Sequence, residues 1–329
     1  MTKLITLLFT FLTLQAITQK ELLEVKNYGS NPGKIKMFLH KPKVAKLSSL
    51  KQPIVFVLHG CSQSAEGIAK QTQWNVLADK YGFYVVYPQQ NLYNNPSLCF
   101  NWFSSEDVNK SKGESYSIKE MLNHMISNYP IDEGRVFVYG VSAGAAMSVV
   151  LMANFPEIID GGAVLAGGPF MPELTDLQRM DLMFNPKDNT SEKLGSPIKK
   201  LNTGYSGNYP KVIIIQGKND LVVNPKNADL LIKQWSFLHS INDSLTDTIT
   251  EFNQSRDVTK FTFKNSKEET KVIFYDINKM GHSIPIDPGT LPNQGGEKTM
   301  YTVDKDFFST YFIAKDFGLI PAEEIIEKK

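Results

Sequence analysis

Short, mainly apolar runs recur along this chain: IVFVL (54–58), FYVVY (83–87), RVFVY (135–139), GAVLA (162–166), VIIIQ (212–216) and VIFYDI (272–277). Near-continuous apolarity, as opposed to alternation, predicts strands buried on both faces, the habit of parallel sheets covered by helices. Helical patterns lie between the runs. Residues 66–80 place Ile68, Trp74, Leu77 and Ala78 near one face, and 115–128 do the same with Ile118, Met121, Leu122, Met125 and Ile126. A third helix is predicted over 225–238, opening at Pro225 behind an Asn224 cap and gathering Leu231, Trp235 and Leu238. Strand and helix alternate, so the predicted class is α/β, a mostly parallel central sheet with helices on both faces.

Two regions break this rhythm. Residues 170–209 are polar, rich in turn residues and weakly periodic, and read either as a lid over a site or as a long connection. Residues 240–270 are polar apart from the alternating run VTKFTF, which is predicted to pair with VIFYDI as a hairpin. No internal repeat or linker interrupts the chain, which favours one domain over 19–329. The first residues, MTKLITLLFTFLTLQAITQK, combine a lysine, a brief apolar run and small residues, the pattern of a signal peptide over 1–18. That run falls short of the roughly 20 residues that cross a bilayer. The expectation is a secreted or periplasmic protein with no membrane span once the signal peptide is removed.

Composition narrows the picture further. With 42% hydrophobic residues, 21% charged residues and a formal charge of +1, the chain has no basic patch to hold nucleic acid. Its two cysteines, Cys61 and Cys99, lack the spacing of a zinc site, and no metal is expected. In an oxidising compartment they could pair, closing a loop worth roughly 4 kcal/mol of chain entropy. Two buried thiols are the other reading.

The candidate chemistry centres on Gly140-Val141-Ser142-Ala143-Gly144, a G-x-S-x-G sequence. Alone this is a weak signal, but it follows a buried strand and opens the alanine-rich AGAAMSVVLMA. A serine on such a strand-to-helix turn raises its hydroxyl above the sheet's carboxyl edge, and the glycines relieve the crowding. A serine hydroxyl needs a base, and in this arrangement an acid and then a histidine follow in chain order. Of five histidines, His124 and His239 fall in or at the end of helical patterns, and His40 precedes the first sheet strand. His282, in the loop NKMGHSIP after the last clear strand, is the predicted base. The acid is Asp220, in GKNDLVVNP just past VIIIQ; its rival Asp276 still lies within a strand. LHGCSQS (58–64) follows the first strand where an oxyanion loop would sit, with the N–H groups of Cys61 and Ala143 as donors worth roughly 3 kcal/mol each. His59 is read as a brace for that loop.

At this point a resemblance is specific. LHGCSQSAEGIAKQTQWNVLADKYGFYVVYPQQ, LCFNWF, YGVSAGAAMS, QGKNDLVVNP and MGHSIPIDPG, in this order over about residues 50–290, resemble the polyhydroxybutyrate depolymerase-type esterases, a family that also holds feruloyl and acetylxylan esterases. The resemblance implies an α/β-hydrolase fold, a secreted serine esterase and a triad falling on Ser142, Asp220 and His282. It also implies that Cys61 and Cys99 pair, and that Asn101, Trp102 and Phe103 shape the acyl pocket. Family members that attack solid polyester carry a linker and a polymer-binding domain after the catalytic one. Here the stretch after His282 has room for a loop and a terminal helix, which leaves soluble hydroxybutyrate oligomers, short-chain esters and plant phenolic esters as candidate substrates. The expected function is hydrolysis of carboxylic esters through an acyl-enzyme, without cofactor. The rivals are an acyltransferase on the same scaffold and an extracellular binding protein; loss of a triad member would mark the latter, and none is lost.

Overall fold

A computed structural model describes residues 22–43, 50–241 and 246–321. The predicted signal peptide over 1–18 lies outside the described residues. Ten strands form one sheet: β1 (Leu23–Val25), β2 (Lys36–His40), β3 (Gln52–Leu58), β4 (Tyr84–Gln89), β5 (Ile131–Val141), β6 (Gly161–Leu165), β7 (Lys211–Gly217), β8 (Thr246–Ile249), β9 (Val258–Lys264) and β10 (Thr270–Ile277). Their order is β1-β2-β4-β3-β5-β6-β7-β10-β9-β8. The apolar runs of the sequence occupy β4, β3, β5, β6, β7 and β10, which are the strands paired in parallel. At both edges the pairing turns antiparallel, through β2 and β1 on one side and β9 and β8 on the other. A small parallel pair, β11 (Ile284–Ile286) and β12 (Thr302–Asp304), stands apart.

The burial of the central strands explains their composition. In β3, Ile54, Phe56 and Leu58 enter the core on one face and Val55 and Val57 the core on the other; β5 and β7 divide their side chains in the same way. Successive side chains point to opposite faces, so a strand covered on both sides must be apolar at every position. The predicted hairpin is present: β9 pairs with β10, and Phe261 stacks on Phe274 with ring centroids 5.8 Å apart. Edge strands β1, β2 and β8 escaped the sequence reading because strands half open to solvent lack the continuous apolar signal.

Among the helices, α1 (Ala65–Thr72) and α2 (Trp74–Tyr81) replace the single helix predicted over 66–80. Gln73 divides them, held in the left-handed region at φ 53°. Neither glycine nor proline marks the break. Its cause is tertiary: the Gln73 side chain accepts the Gly296 N–H at 3.0 Å, and the Gln71 carbonyl accepts that of Glu297 at 3.3 Å. The helix α3 (Gly113–Asn128) begins slightly before the predicted start, and α4 (Ala143–Asn154) is buried along its whole length. The polar segment 170–209 carries α5 (Asp176–Phe184) and α6 (Ser191–Leu201), capped by Thr175 and Thr190. Thr175 and Gln178 form a reciprocal capping box, a signal legible in TDLQ. The helix α7 (Lys226–Leu238) starts one residue later than expected, with the Asn224 side chain accepting the Lys226 N–H. The chain's last described helix is α8 (Ser309–Asp316).

Ile214, on β7 between β6 and β10, is 1% exposed. Replacing it by alanine should cost about 2–5 kcal/mol, read as a lower urea midpoint with an unchanged slope.

Candidate active site

The carboxyl ends of β3, β5, β7 and β10 deliver four loops to one edge of the sheet. Ser142 leaves β5 at φ 56° and ψ −120°, a conformation costly for a residue with a Cβ. Two glycines make it possible. A Cβ at Gly140 would collide with the Gly144 carbonyl, and one at Gly144 would lie 2.5 Å from the carbonyl oxygens of Leu58 and His59. The turn is anchored by the Ser142 N–H donating to the Leu165 carbonyl at 2.9 Å and by the Ala146 N–H donating to Ser142 at 3.0 Å.

Asp220 and His282 meet through the loops after β7 and β10. These loops are stitched together by the N–H groups of Lys218 and Asn219, which donate to the carbonyls of Ile277 and Met280, each at 2.9 Å. His282 Nδ1 then lies 2.8 Å from Asp220 Oδ2. The other oxygen, Oδ1, accepts the N–H groups of Val222 and Val223 at 2.8 and 2.9 Å, and Gln216 Nε2 reaches Oδ2 at 3.2 Å. Burial pushes this carboxyl up, but its bond to and the charge of His282, with the two N–H groups, outweigh burial and hold it below its ordinary value. The rival Asp276 pairs with Lys218 at 3.0 Å and takes no part.

The loop after β3 is braced by several of its backbone N–H groups. The Gly60 N–H donates to Gln63 Oε1 at 2.7 Å, the Ser62 N–H to the Ser97 carbonyl at 2.8 Å, and the Gln63 N–H to the Gly60 carbonyl at 3.3 Å. The Cys61 N–H meets no acceptor among the described residues. Ala143 opens α4, where a helix leaves its first N–H groups unspent. His59, fully buried, lies with Nδ1 2.7 Å from the Gly60 carbonyl and accepts the Gln90 N–H at Nε2 at 3.1 Å. These partners require the neutral ring, and burial lowers its pKa to about 4. His59 is the brace that its place in the sequence suggested. A disulfide joins Cys61 to Cys99.

Ser142 opens into two clefts. One, of about 170 Å³, is lined with Ser142 by Gln63, Leu165, His282, Ser283 and Tyr301. The second, of about 290 Å³, is lined by Trp102, Phe103, Met180, Met183, Phe184 and Val223 beside Ser142 and Ala143. Cys61 borders both. A larger cavity of about 620 Å³, bordered by His40, Gln73 and Asp79, contains none of these residues. Of the predicted pocket residues, Trp102 and Phe103 line the second cleft, whereas Asn101 lines neither. Its backbone N–H and side-chain amide bond Glu114 at 2.8 and 2.9 Å.

Glu114 is a residue that sequence reasoning missed. It is completely buried near the start of α3, where an acid ordinarily signals only a helix start. Its carboxyl accepts from Gln90 at 2.5 Å and from Asn101, so one group ties α3, the 90–101 loop and, through Gln90, His59. Burial first, and then Asp107, push its pKa up to about 8 against these hydrogen bonds.

The model of a family described as "Esterase PHB depolymerase" matches residues 36–252 of this chain. The chain belongs to that family. It is an ester hydrolase with the α/β-hydrolase fold. A poly(3-hydroxyalkanoate) depolymerase C from Paucimonas lemoignei is 36% identical over 91% of this chain and 70% of its own length. A feruloyl esterase B from Neurospora crassa is 31% identical over 65% of this chain and 73% of its own. An acetyl xylan esterase from Aspergillus awamori superposes with a TM-score of 0.72 at 23% identity, covering 91% of this chain and 99% of that one.

The esterase should lose stability as pH rises from about 4.5 to about 8, a loss traceable to Glu114. Folded, Glu114 holds its proton to about pH 8; its ordinary value is 4.5. Its contribution is therefore full below pH 4.5 and shrinks as pH rises through 8. Melting temperatures measured across this range should fall less steeply in Glu114→Gln than in the unmodified protein.

Proposed function

We propose that this chain is an extracytoplasmic serine esterase that works through an acyl-enzyme, with Ser142, Asp220 and His282 as its triad. The observation that carries this reading is the 2.8 Å contact between His282 and Asp220, with His282 lining the same cleft as the strained Ser142. Ser142 Oγ attacks the ester carbonyl as His282 takes its proton. The N–H groups of Cys61 and Ala143 receive the developing oxyanion. His282 then returns the proton to the departing alcohol, and water, activated by the same ring, releases the acid and restores Ser142. Asp220 accepts from Nδ1, which leaves Nε2 as the basic nitrogen and stabilises the imidazolium.

Trp102 and Phe103 contact substrate in this reading, and Asn101 positions their loop through Glu114. The names of the relatives support hydroxyalkanoate, feruloyl and acetyl esters as the substrates to compare. Export is supported by the Cys61–Cys99 disulfide, which reducing compartments do not maintain, and by the signal-peptide pattern over 1–18. The catalytic domain is proposed to comprise residues 19–329.

A fluorophosphonate probe should label Ser142 stoichiometrically, and Ser142→Ala should lose both labelling and hydrolysis of nitrophenyl butanoate. Asp220→Asn should lower kcat by about 10⁴-fold with the fold intact. Unchanged hydrolysis in Ser142→Ala would sink the reading.

A further inference from the structure

The two clefts beside Ser142 differ in size, lining and neighbours, and the proposed mechanism gives each a direction. The departing alcohol must take its proton from His282, so it lies on the side that His282 lines. That is the smaller cleft, with Gln63, Ser283 and Tyr301. The acyl chain leaves the carbonyl carbon on the opposite side, toward the cleft that borders Ser142 and Ala143 but not His282. We propose that the cleft walled by α5 is the acyl side of this site and takes a large, uncharged, apolar acyl group, so that acetyl esters are poor substrates. The proposal rests on the triad reading above.

Size is the first argument. An acetyl methyl is about as large as a water molecule, whose share of liquid volume is about 30 Å³, and it would leave most of the 290 Å³ cleft unfilled. Lining is the second. Among the described residues no charged side chain borders the cleft, whose polar side chains besides Ser142 are those of Asn95 and Ser97. Asn95 donates to Asn101 Oδ1 and accepts the Ser97 N–H, each at 2.9 Å. A carboxylate on the acyl group would therefore lose its hydration without a cationic partner.

The wall is also built in advance. Arg179, 4% exposed, donates to the Phe103 carbonyl at 3.1 Å, the Leu174 carbonyl at 2.5 Å and Ser105 Oγ at 2.8 Å. Asp176 accepts the Ser105 N–H at 3.0 Å. These bonds clamp α5 against the loop that carries Trp102 and Phe103. Met183 packs with Ala146, Val223 and Trp102, and the Asn227 amide holds its carbonyl at 2.7 Å. Phe184 is 49% exposed at the mouth, an apolar ring with no role in the core. Methionines add a surface that adapts to different apolar shapes.

The test keeps the leaving group constant and varies the acyl chain: nitrophenyl acetate, butanoate and hexanoate, with kcat/KM measured for each. Each methylene buried should raise kcat/KM about fourfold, so hexanoate should exceed acetate by well over tenfold. Met180→Trp, which fills the cleft, and Phe184→Ala, which opens its wall at a half-exposed position, should both lower the hexanoate-to-acetate ratio. Tyr301→Ala should shift the preference among alcohols, compared with ethyl and naphthyl butanoates, and not the acyl ratio. Labelling by a fluorophosphonate separates the two levels of the argument. If Ser142 is labelled but acetate matches hexanoate, or the acyl ratio follows Tyr301 and ignores Met180 and Phe184, the acyl assignment is wrong. If Ser142 is not labelled, the triad reading fails and the acyl assignment falls with it.

Discussion

When β3, β5, β6, β7 and β10 pair in parallel, their carboxyl ends leave the sheet at a common edge, and every loop that follows them is delivered there. Leu58 lies opposite Gly140, Val141 opposite Leu165, and Gly217 opposite Ile277. This register brings residues as distant in sequence as Cys61 and His282 around Ser142. A slip of one residue in any central strand would exchange its two sets of side chains between the cores, and because both cores are closely packed the register is strongly specified.

On that edge, hydrogen bonds brace the loops around Ser142. The loop after β3 spends the N–H groups of Gly60, Ser62 and Gln63 on internal acceptors, and Cys61 keeps its own beside the unspent N–H of Ala143. In the proposed mechanism such donors serve the transition state because they are held in place before the reaction and need no reorganisation. The bracing extends inward through His59 and Gln90 to Glu114, and across to the 90–101 loop through the disulfide. A strained Ser142, costing about 1–3 kcal/mol, persists because this surrounding structure over-determines its backbone.

The insertion between β6 and β7 turns a general ester-cleaving edge into a shaped one. Its helix α6 packs against α7, whereas α5 walls the larger cleft and is fastened by Arg179 to the loop bearing Trp102 and Phe103. Family membership accounts for ester chemistry as such. In the proposed reading, discrimination among esters belongs to walls like this one, whose side chains would touch the substrate and not the reacting atoms.

Much of this was legible in the chain. The apolar runs of the central strands, the alternation with helices and the chain order of Ser142, Asp220 and His282 are local patterns, and local patterns survive in sequence because strand burial and tight turns restrict residue type at each position. Gln73 shows the limit: nothing nearby announces a helix break, since its partner is Gly296. Glu114 shows it too, for a buried carboxyl and a helix-capping acid look alike until packing reveals which one is solvated. The two clefts, the turning of Asn101 away from them and the place of α5 depend on contacts between segments far apart along the chain. By itself, then, the sequence determined the layered α/β scaffold and the residue types brought to its edge. Only the tertiary structure decided which N–H groups remain unspent and which side chains wall each side of Ser142, because those properties exist only between segments after they have packed.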